Sequence, residues 1–456
     1  MDISFKDKVY FSIIFFIGVL LRVTWILGVQ CKLVSDFKTY QEIATNIFMN
    51  KGHTYLGQPV AFQGMGYPVV LGWFYKLVGT NDIFYGKLLN VILSSVTLIF
   101  ILAILVKLVN DKRTVYLVFT ITAILPNYVA YNNVIGTENL AALLMVLVIF
   151  LQVSKFNKVI RYVLIGILVG ALSLVKPNFL VYPVVMAVIE WMREKNVKEV
   201  AALFICSVIF MCIIVAPWTY RNYKKFNLFI PVSYNGGYVL FINNNSNNVN
   251  GAWMPIGKVK VSDEVKKNMA ACGLKHGSSL SMESKQVLFN PKLEKVLKGE
   301  AKRWISAHPM SFCRLGLIRV KNTFFKGAGD IQEWTMHGAD NNLVFVRFMK
   351  SYCIRILLDS FIKLISAVSI IYLLLNSKKI ISSIFNKDKK VDYRLSIPVV
   401  NIAFFLAISF VFEGQPRYDY PILFLLIFCT VEFVNSFMEK HSTHNIKNKF
   451  SFRTNQ

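Results

Sequence analysis

Residues 10–29 read YFSIIFFIGVLLRVTWILGV, a run in which Arg22 is the one charged side chain. This is the length an α-helix needs to cross the hydrocarbon core of a bilayer, roughly 20 residues. Runs at 88–106, 200–218, 354–375 and 422–437 are similar. Within lipid a backbone must satisfy its own hydrogen bonds, as a helix or as a closed barrel, and these runs lack the period of two that a barrel strand shows. The expected spans are therefore helices. The first run is too long for the apolar core of a secretory signal, and no small-residue cleavage site follows it, so it reads as a retained first helix.

Composition agrees. Of 456 residues, 55% are hydrophobic and 17% charged, and mean hydropathy is +0.49; soluble domains carry about 25% charged residues. The seven cysteines are scattered without metal-ligand or CxxC spacing, which argues against a structural zinc site or a disulfide framework. A net charge of +26 would suggest nucleic acid in a soluble protein. Here the basic residues sit largely in short loops between spans and no nucleic-acid-binding module accompanies them, so orientation and contact with anionic membrane lipids account for them.

Six basic clusters set the orientation: Lys6 and Lys8; Lys107 to Arg113; Lys155 to Arg161; Arg193 to Lys198; Lys378 to Arg394; and Lys440 to Arg453. All fall on the cytoplasmic side if both termini are cytoplasmic and the chain crosses ten times, at about 9–29, 86–107, 114–131, 138–154, 160–175, 177–192, 199–217, 355–375, 396–413 and 420–437. The expectation is an all-α polytopic membrane protein of the cell membrane. Its core would be 1–218 with a first outer loop 30–85, followed by a mixed extracytoplasmic domain 219–355, C-terminal spans 356–438 and a basic tail 439–456. Residues 67–78 are apolar but short and would reverse every later loop as a span, so they read as an interfacial or re-entrant helix. Asn235-Gly236-Gly237 and 243–251 read as turns, and 281–303 as an exposed helix.

Five polar groups lie at span ends on the predicted outer face: Ser35-Asp36; Gly136-Thr137-Glu138-Asn139; Lys176-Pro177; Pro217-Trp218 with Arg221-Asn222; and Glu413 to Tyr420, which contains Arg417 and Tyr418. Each has a plain structural reading. Asp36 and Glu138 suit helix N-termini, Lys176 can snorkel, and the Trp, Tyr and Arg residues suit interfacial anchors. Together they put two carboxylates and three cations at one membrane surface. That is what group transfer from a lipid phosphate requires: a base for the attacking group and cations for the departing phosphate.

At these residues the chain resembles the GT-C glycosyltransferases, the superfamily of protein O-mannosyltransferases and lipid A aminoarabinose transferases. The resemblance rests on blocks in order: Asp36 with Tyr40-x-x-x-Ala44; Gly66-Tyr67-Pro68; Thr137-Glu138; Lys176-Pro177; Pro217-Trp218-x-x-Arg221-Asn222; Pro231-x-Ser233-x-Asn235-Gly236-Gly237; Gly299-Glu300-Ala301; Trp304-Ile305; His308-Pro309; and Arg417-Tyr418 with Pro421. It implies a polyprenyl-phosphate sugar donor and transfer on the outer side of the membrane. It further implies Asp36 and Glu138 as catalytic carboxylates, and Lys176, Arg221, Arg417, Tyr418, Tyr67 and Asn235 as donor-phosphate or substrate contacts. Residues 63–68, Gln-Gly-Met-Gly-Tyr-Pro, depart from the acidic-basic-Pro-Pro pattern of the aminoarabinose transferases, so that subfamily's substrate and metal do not carry over. No DxD-type motif lies near Asp36, which gives a divalent metal no support.

The reading is a membrane glycosyltransferase moving a sugar from polyprenyl phosphate to an envelope glycan, lipid or protein, with inversion by a single displacement. The alternative is a transporter or lipid-linked sugar flippase, which would place charges near the midplane and show internal symmetry; a catalytically inactive scaffold is a third.

Overall fold

The protein, seen in a computed structural model, is described over residues 3–273 and 287–453, with side chains up to residue 439. Helix α1 (Phe5–Gly28) starts at a reciprocal Ser4–Asp7 capping box. After it come α2 (Ser35–Phe48), a short antiparallel hairpin pairing Thr54–Tyr55 with Gln58–Pro59, and α3 (Gly66–Val78). The bundle continues with α4 (Ile83–Leu108), α5 (Lys112–Ile124), α6 (Pro126–Ala130), α7 (Glu138–Val153), α8 (Lys158–Val175), α9 (Tyr182–Glu194) and α10 (Val197–Phe226).

Among the described residues seven helices are long and apolar enough to cross a membrane, eight when the pair broken at Leu125–Pro126, bent by 44°, is taken as one span. All ten expected segments are helical, but α7 and α9 have only 16 and 13 residues. The chain is an all-α, multi-pass membrane protein. Helix α3, 13 residues long, extends only about 20 Å at 1.5 Å per residue, short of the roughly 30 Å hydrocarbon core. It lies against α2, where a Cβ at Gly72 would come within 2.7 Å of the Ile47 side chain.

Packing relies on small residues and internal polar contacts, as expected where lipid removes the hydrophobic drive between helices. Gly166 and Gly170 seat α8 on α10; added Cβ atoms would meet Phe210 at 2.6 Å and Ile214 at 2.7 Å. Arg22 is fully buried and staples three helices, donating to the Gly18 carbonyl at 2.8 Å, the Ala123 carbonyl at 2.7 Å and Ser94 Oγ at 3.2 Å.

Beyond α10 the chain forms α11 (Gly236–Asn243), α12 (Asp263–Ala271), α13 (Leu293–Ala307), α14 (Pro309–Phe324) and, after a π-turn at Ile331–Thr335, α15 (Val344–Lys350). The segment expected to be mixed is thus helical among its described residues. Asn235-Gly236-Gly237 opens a helix instead of a turn, because the Gly237 N–H is capped by Glu294 Oε2 at 2.7 Å, a partner 57 residues away. Of the expected 281–303 helix, 281–286 fall outside the described residues, and 293–303 lie within α13. The chain ends in α16 (Tyr352–Phe385), α17 (Tyr393–Val411), a 3-10 turn Pro416–Ile422 and α18 (Leu423–Arg453). The last apolar stretch, Pro416–Glu439, is 61% buried and central, whereas those of α10 and α16 are 22% buried and lie on the perimeter. Fully buried Arg319 fastens α14 to the end of α17 by donating to the Phe410 carbonyl at 2.8 Å and the Val411 carbonyl at 3.1 Å.

Candidate active site

The site is built at helix breaks. Between α6 and α7 the chain runs through a 3-10 turn (Tyr131–Asn133) and an irregular segment, and buried asparagines satisfy its backbone. Asn90 Nδ2 donates to the Val134 carbonyl at 2.7 Å and Asn139 Nδ2 to the Tyr131 carbonyl at 3.1 Å, while Asn133, from within the segment, ties it to the Val29 and Thr335 carbonyls at 2.9 and 2.8 Å. Irregular backbone within a bundle is tolerated only when so paired. Here it delivers Glu138, 3% exposed, to the first turn of α7. A Cβ at Gly136 would fall 2.4 Å from Glu138 Oε2, so glycine is needed for that carboxylate to fold back. Glu138 Oε1 lies 3.7 Å from Lys176 Nζ, while Oε2 is buried with no hydrogen-bond partner.

Lys176 stands in extended conformation at the α8–α9 break. Gly64 and Gly66 press the first loop onto the end of α8; Cβ atoms there would come within 2.5 Å of the Val175 carbonyl and 2.6 Å of its side chain. That loop also supplies Gln63, whose Nε2 donates to Asp36 Oδ1 at 2.5 Å. Ser35, with φ +49°, turns the chain into α2, a left-handed conformation that costs a non-glycine residue about 1 kcal/mol or more. Asp36 does not cap α2, as its position suggests: the N-cap is Val34, without a side-chain bond, and the Asp36 carboxylate turns to Gln63 and to Arg417 Nη2 at 3.5 Å.

Arg417 arrives on the α17–α18 break. Gly414 lies so close on α14 that a Cβ would be 2.4 Å from the Arg319 carbonyl. Arg417 Nε donates to Gln415 Oε1 at 2.9 Å, and Gln415 Nε2 to Glu413 Oε1 at 2.5 Å. Tyr418 OH donates to Glu413 Oε2 at 2.9 Å. Burial pushes the Glu413 carboxyl above its usual range, against these hydrogen bonds. The rings of Phe37, Trp334 and Tyr418 surround the guanidinium at 5.4, 5.2 and 5.6 Å, within cation–π range. The direct carboxylate partner of Arg417 is Asp36, 381 residues away, not the neighbouring Glu413 or Asp419.

Lys176 sits 6.0 Å from the Tyr418 ring and in the field of Glu138, Arg417 and Asp36, which joins the two ion pairs into one group. The Asp36 and Lys176 side chains are 38% and 23% exposed, those of Arg417 and Glu138 9% and 4%. A ligand therefore meets the first pair before the second. Tyr67 is buried behind them, its OH donating to Asn90 Oδ1 at 3.2 Å and its ring edge-on to Tyr40 at 6.0 Å. Arg221 lies elsewhere: it donates to the carbonyls of His53 at 2.8 Å and Val60 at 3.1 Å and stacks on Trp218, holding the hairpin of the first loop. Asn235 stands at the start of α11, where Ser233 Oγ donates to it at 3.0 Å. Gln63, Gln415, Phe37 and Trp334 escape the sequence reading. The two glutamines lie beside glycines in quoted motifs, a usable signal, but nothing local marks the rings.

No family model matches the sequence, and no curated protein matches it. Among solved structures, the chain is similar to the apo form of the oligosaccharyltransferase of Archaeoglobus fulgidus, with a TM-score of 0.51 and 12% identity over 98% of this chain and 53% of the other. The chain has the GT-C fold. It spans about half the length of that oligosaccharyltransferase. ArnT from Cupriavidus metallidurans bound to undecaprenyl phosphate is also similar, at TM-score 0.45 and 13% identity over 92% of this chain and 77% of the other. In this fold, Asp36, Glu138, Lys176 and Arg417 share one end of the bundle.

Proposed function

We propose that the chain is a polyprenyl-phosphate-dependent glycosyltransferase that moves a sugar to a hydroxyl of an envelope glycan, lipid or protein on the outer face of the cell membrane. The observation that carries this reading is the pairing of Asp36 with Arg417 and of Glu138 with Lys176, two long contacts between groups brought from four elements. Arg417 and Lys176 receive the donor phosphate; as the guanidinium turns to that phosphate through bidentate hydrogen bonds, it releases Asp36. Asp36 then takes the proton of the acceptor hydroxyl, whose oxygen bonds to the anomeric carbon while the bond from that carbon to the phosphate oxygen breaks. Polyprenyl phosphate leaves with the electron pair, and one displacement inverts the centre. Glu138 holds Lys176, and Tyr418 and Tyr67 form the wall; Arg221 and Asn235 shape the first loop and the start of α11 around it. The test is sugar transfer or release from a labelled polyprenyl-phosphate donor by the purified protein. Movement of intact donor across vesicles without cleavage would favour a flippase instead.

A further inference from the structure

The end of the bundle opposite Asp36 holds a second polar site. A cleft of about 390 Å³ opens where α4, α7 and α9 end and α8, α10 and α17 begin. Helices α7 and α8, of 16 and 18 residues, run from one site to the other, which separates them by about 25 Å at 1.5 Å per residue. The wall carries Lys107, Lys155, Lys158, Arg161 and Arg193 against Glu190, Glu194 and Glu199.

Three of those cations are paired: Lys158 with Glu199 at 2.7 Å, Arg193 with Glu194 at 3.4 Å and Arg161 with Glu190 at 3.5 Å. Lys107 and Lys155 are exposed and have no carboxylate partner among the described residues. Arg161 is the informative one. It is 8% exposed, and its Nε is buried without a hydrogen-bond partner. Its other contacts are long, Nη2 to Glu190 Oε1 at 3.5 Å and Nη1 to the Ser154 carbonyl at 3.4 Å, while the second oxygen of Glu190 accepts from Tyr393 OH at 2.6 Å. A guanidinium edge is thus desolvated at the floor of a cleft with a donor unfilled, a costly arrangement that an anion relieves. Beside the cleft, Phe156, Val159 and Ile160 are 52%, 68% and 58% exposed, an apolar surface suited to acyl chains and useless to a soluble anion.

We propose that this cleft binds the phosphate of an anionic phospholipid drawn from the leaflet at that end. Arg161 meets the phosphate at the floor, Lys107 and Lys155 close on it from the rim, and the acyl chains lie along Phe156, Val159 and Ile160. Charges that sequence reading assigns to orientation and to general contact with anionic lipids acquire a specific site.

The full chain is reconstituted in nanodiscs of phosphatidylcholine with a minor fraction of phosphatidylglycerol, released, and examined by native mass spectrometry. One phosphatidylglycerol is expected to remain per chain, excess inorganic phosphate failing to displace it. The exposed double variant Lys107→Gln/Lys155→Gln is expected to retain at least about tenfold less, as loss of two charge-assisted contacts predicts. Arg161→Lys, which keeps the charge facing Glu190, is expected to fall between. Equal retention by wild type and the double variant, equal retention of phosphatidylcholine, or displacement by inorganic phosphate would each overturn the assignment.

Discussion

The two ends of the bundle use charge differently. At the end where α1 begins, Lys112 meets Asp7 at 2.6 Å, Lys158 meets Glu199 at 2.7 Å and Arg394 meets Glu432 at 2.5 Å. These are the lengths of committed charge-assisted bonds. At the other end Asp36 and Arg417 stand 3.5 Å apart and Glu138 and Lys176 3.7 Å. Those groups are held by backbone breaks, glycine contacts and aromatic walls instead of by one another, which leaves their hydrogen-bonding capacity for a third party. Short pairs complete a structure; long pairs held from behind await a ligand. At the α1 end Arg161 at 3.5 Å and Arg193 at 3.4 Å are the long pairs, and of the two Arg161 is the buried one.

The contrast is broken most directly at Asp36. Asp36→Asn keeps size and removes the base, and turnover should fall about 100- to 10,000-fold while donor binding largely survives. Near-normal turnover of well-folded variant would reduce Asp36 to a structural partner of Gln63.

Arg417→Ala should slow transfer about 30- to 1000-fold, or about 2–4 kcal/mol, with Arg417→Lys in between because the ammonium lacks the planar fork. If the exchange Asp36→Arg with Arg417→Glu restored activity, the pair would be merely structural.

Asp330 sharpens the comparison from behind the site. It accepts from Tyr131 OH and lies four residues before Trp334, and burial pushes its carboxyl from 3.8 to about 6. The folded state therefore binds the proton more tightly than the unfolded one. Its contribution to stability is full below about pH 4 and is lost as pH rises through about 6, a difference of about 3 kcal/mol. Melting temperature against pH should show this decline, and Asp330→Asn should flatten it; parallel curves would refute the linkage.

Arg221→Gln tests whether two arginines expected to do the same work do so. Losing its bonds to His53 and Val60 should cost about 1–3 kcal/mol of stability, with transfer affected less than by Arg417→Ala. A larger loss of transfer at unchanged melting temperature would return Arg221 to the phosphate. The smallest effect on transfer belongs to the committed end: Asp7→Asn should change transfer by no more than about twofold, since Asp7 lies at the opposite end from Asp36 and its bonds to Lys112, Tyr116 and the Ser4 N–H serve folding. A loss comparable to that of Asp36→Asn would erase the contrast.

The long apolar runs around Phe11, Leu98 and Met211 determine by themselves that helices form and that lipid surrounds them, because hydropathy and length are local properties and hydrocarbon admits few alternatives. The same holds for the polar residues at run ends, which is why Asp36, Glu138, Lys176 and Arg417 could be named from the chain alone. Tertiary structure decided what local pattern does not encode. It began α9 at Tyr182 after a 3-10 turn, and it left the backbone before α7 unwound, where Asn90 of α4 satisfies the Val134 carbonyl. It started α11 at Asn235-Gly236-Gly237 through Glu294, a cap from a distant helix. It drew Arg417 to Asp36 and sent Arg221 to the carbonyls of the first loop, since a guanidinium goes to whichever acceptors the packing leaves open. Hydropathy is written residue by residue; the partner of a buried charge is chosen only when the whole bundle closes around it.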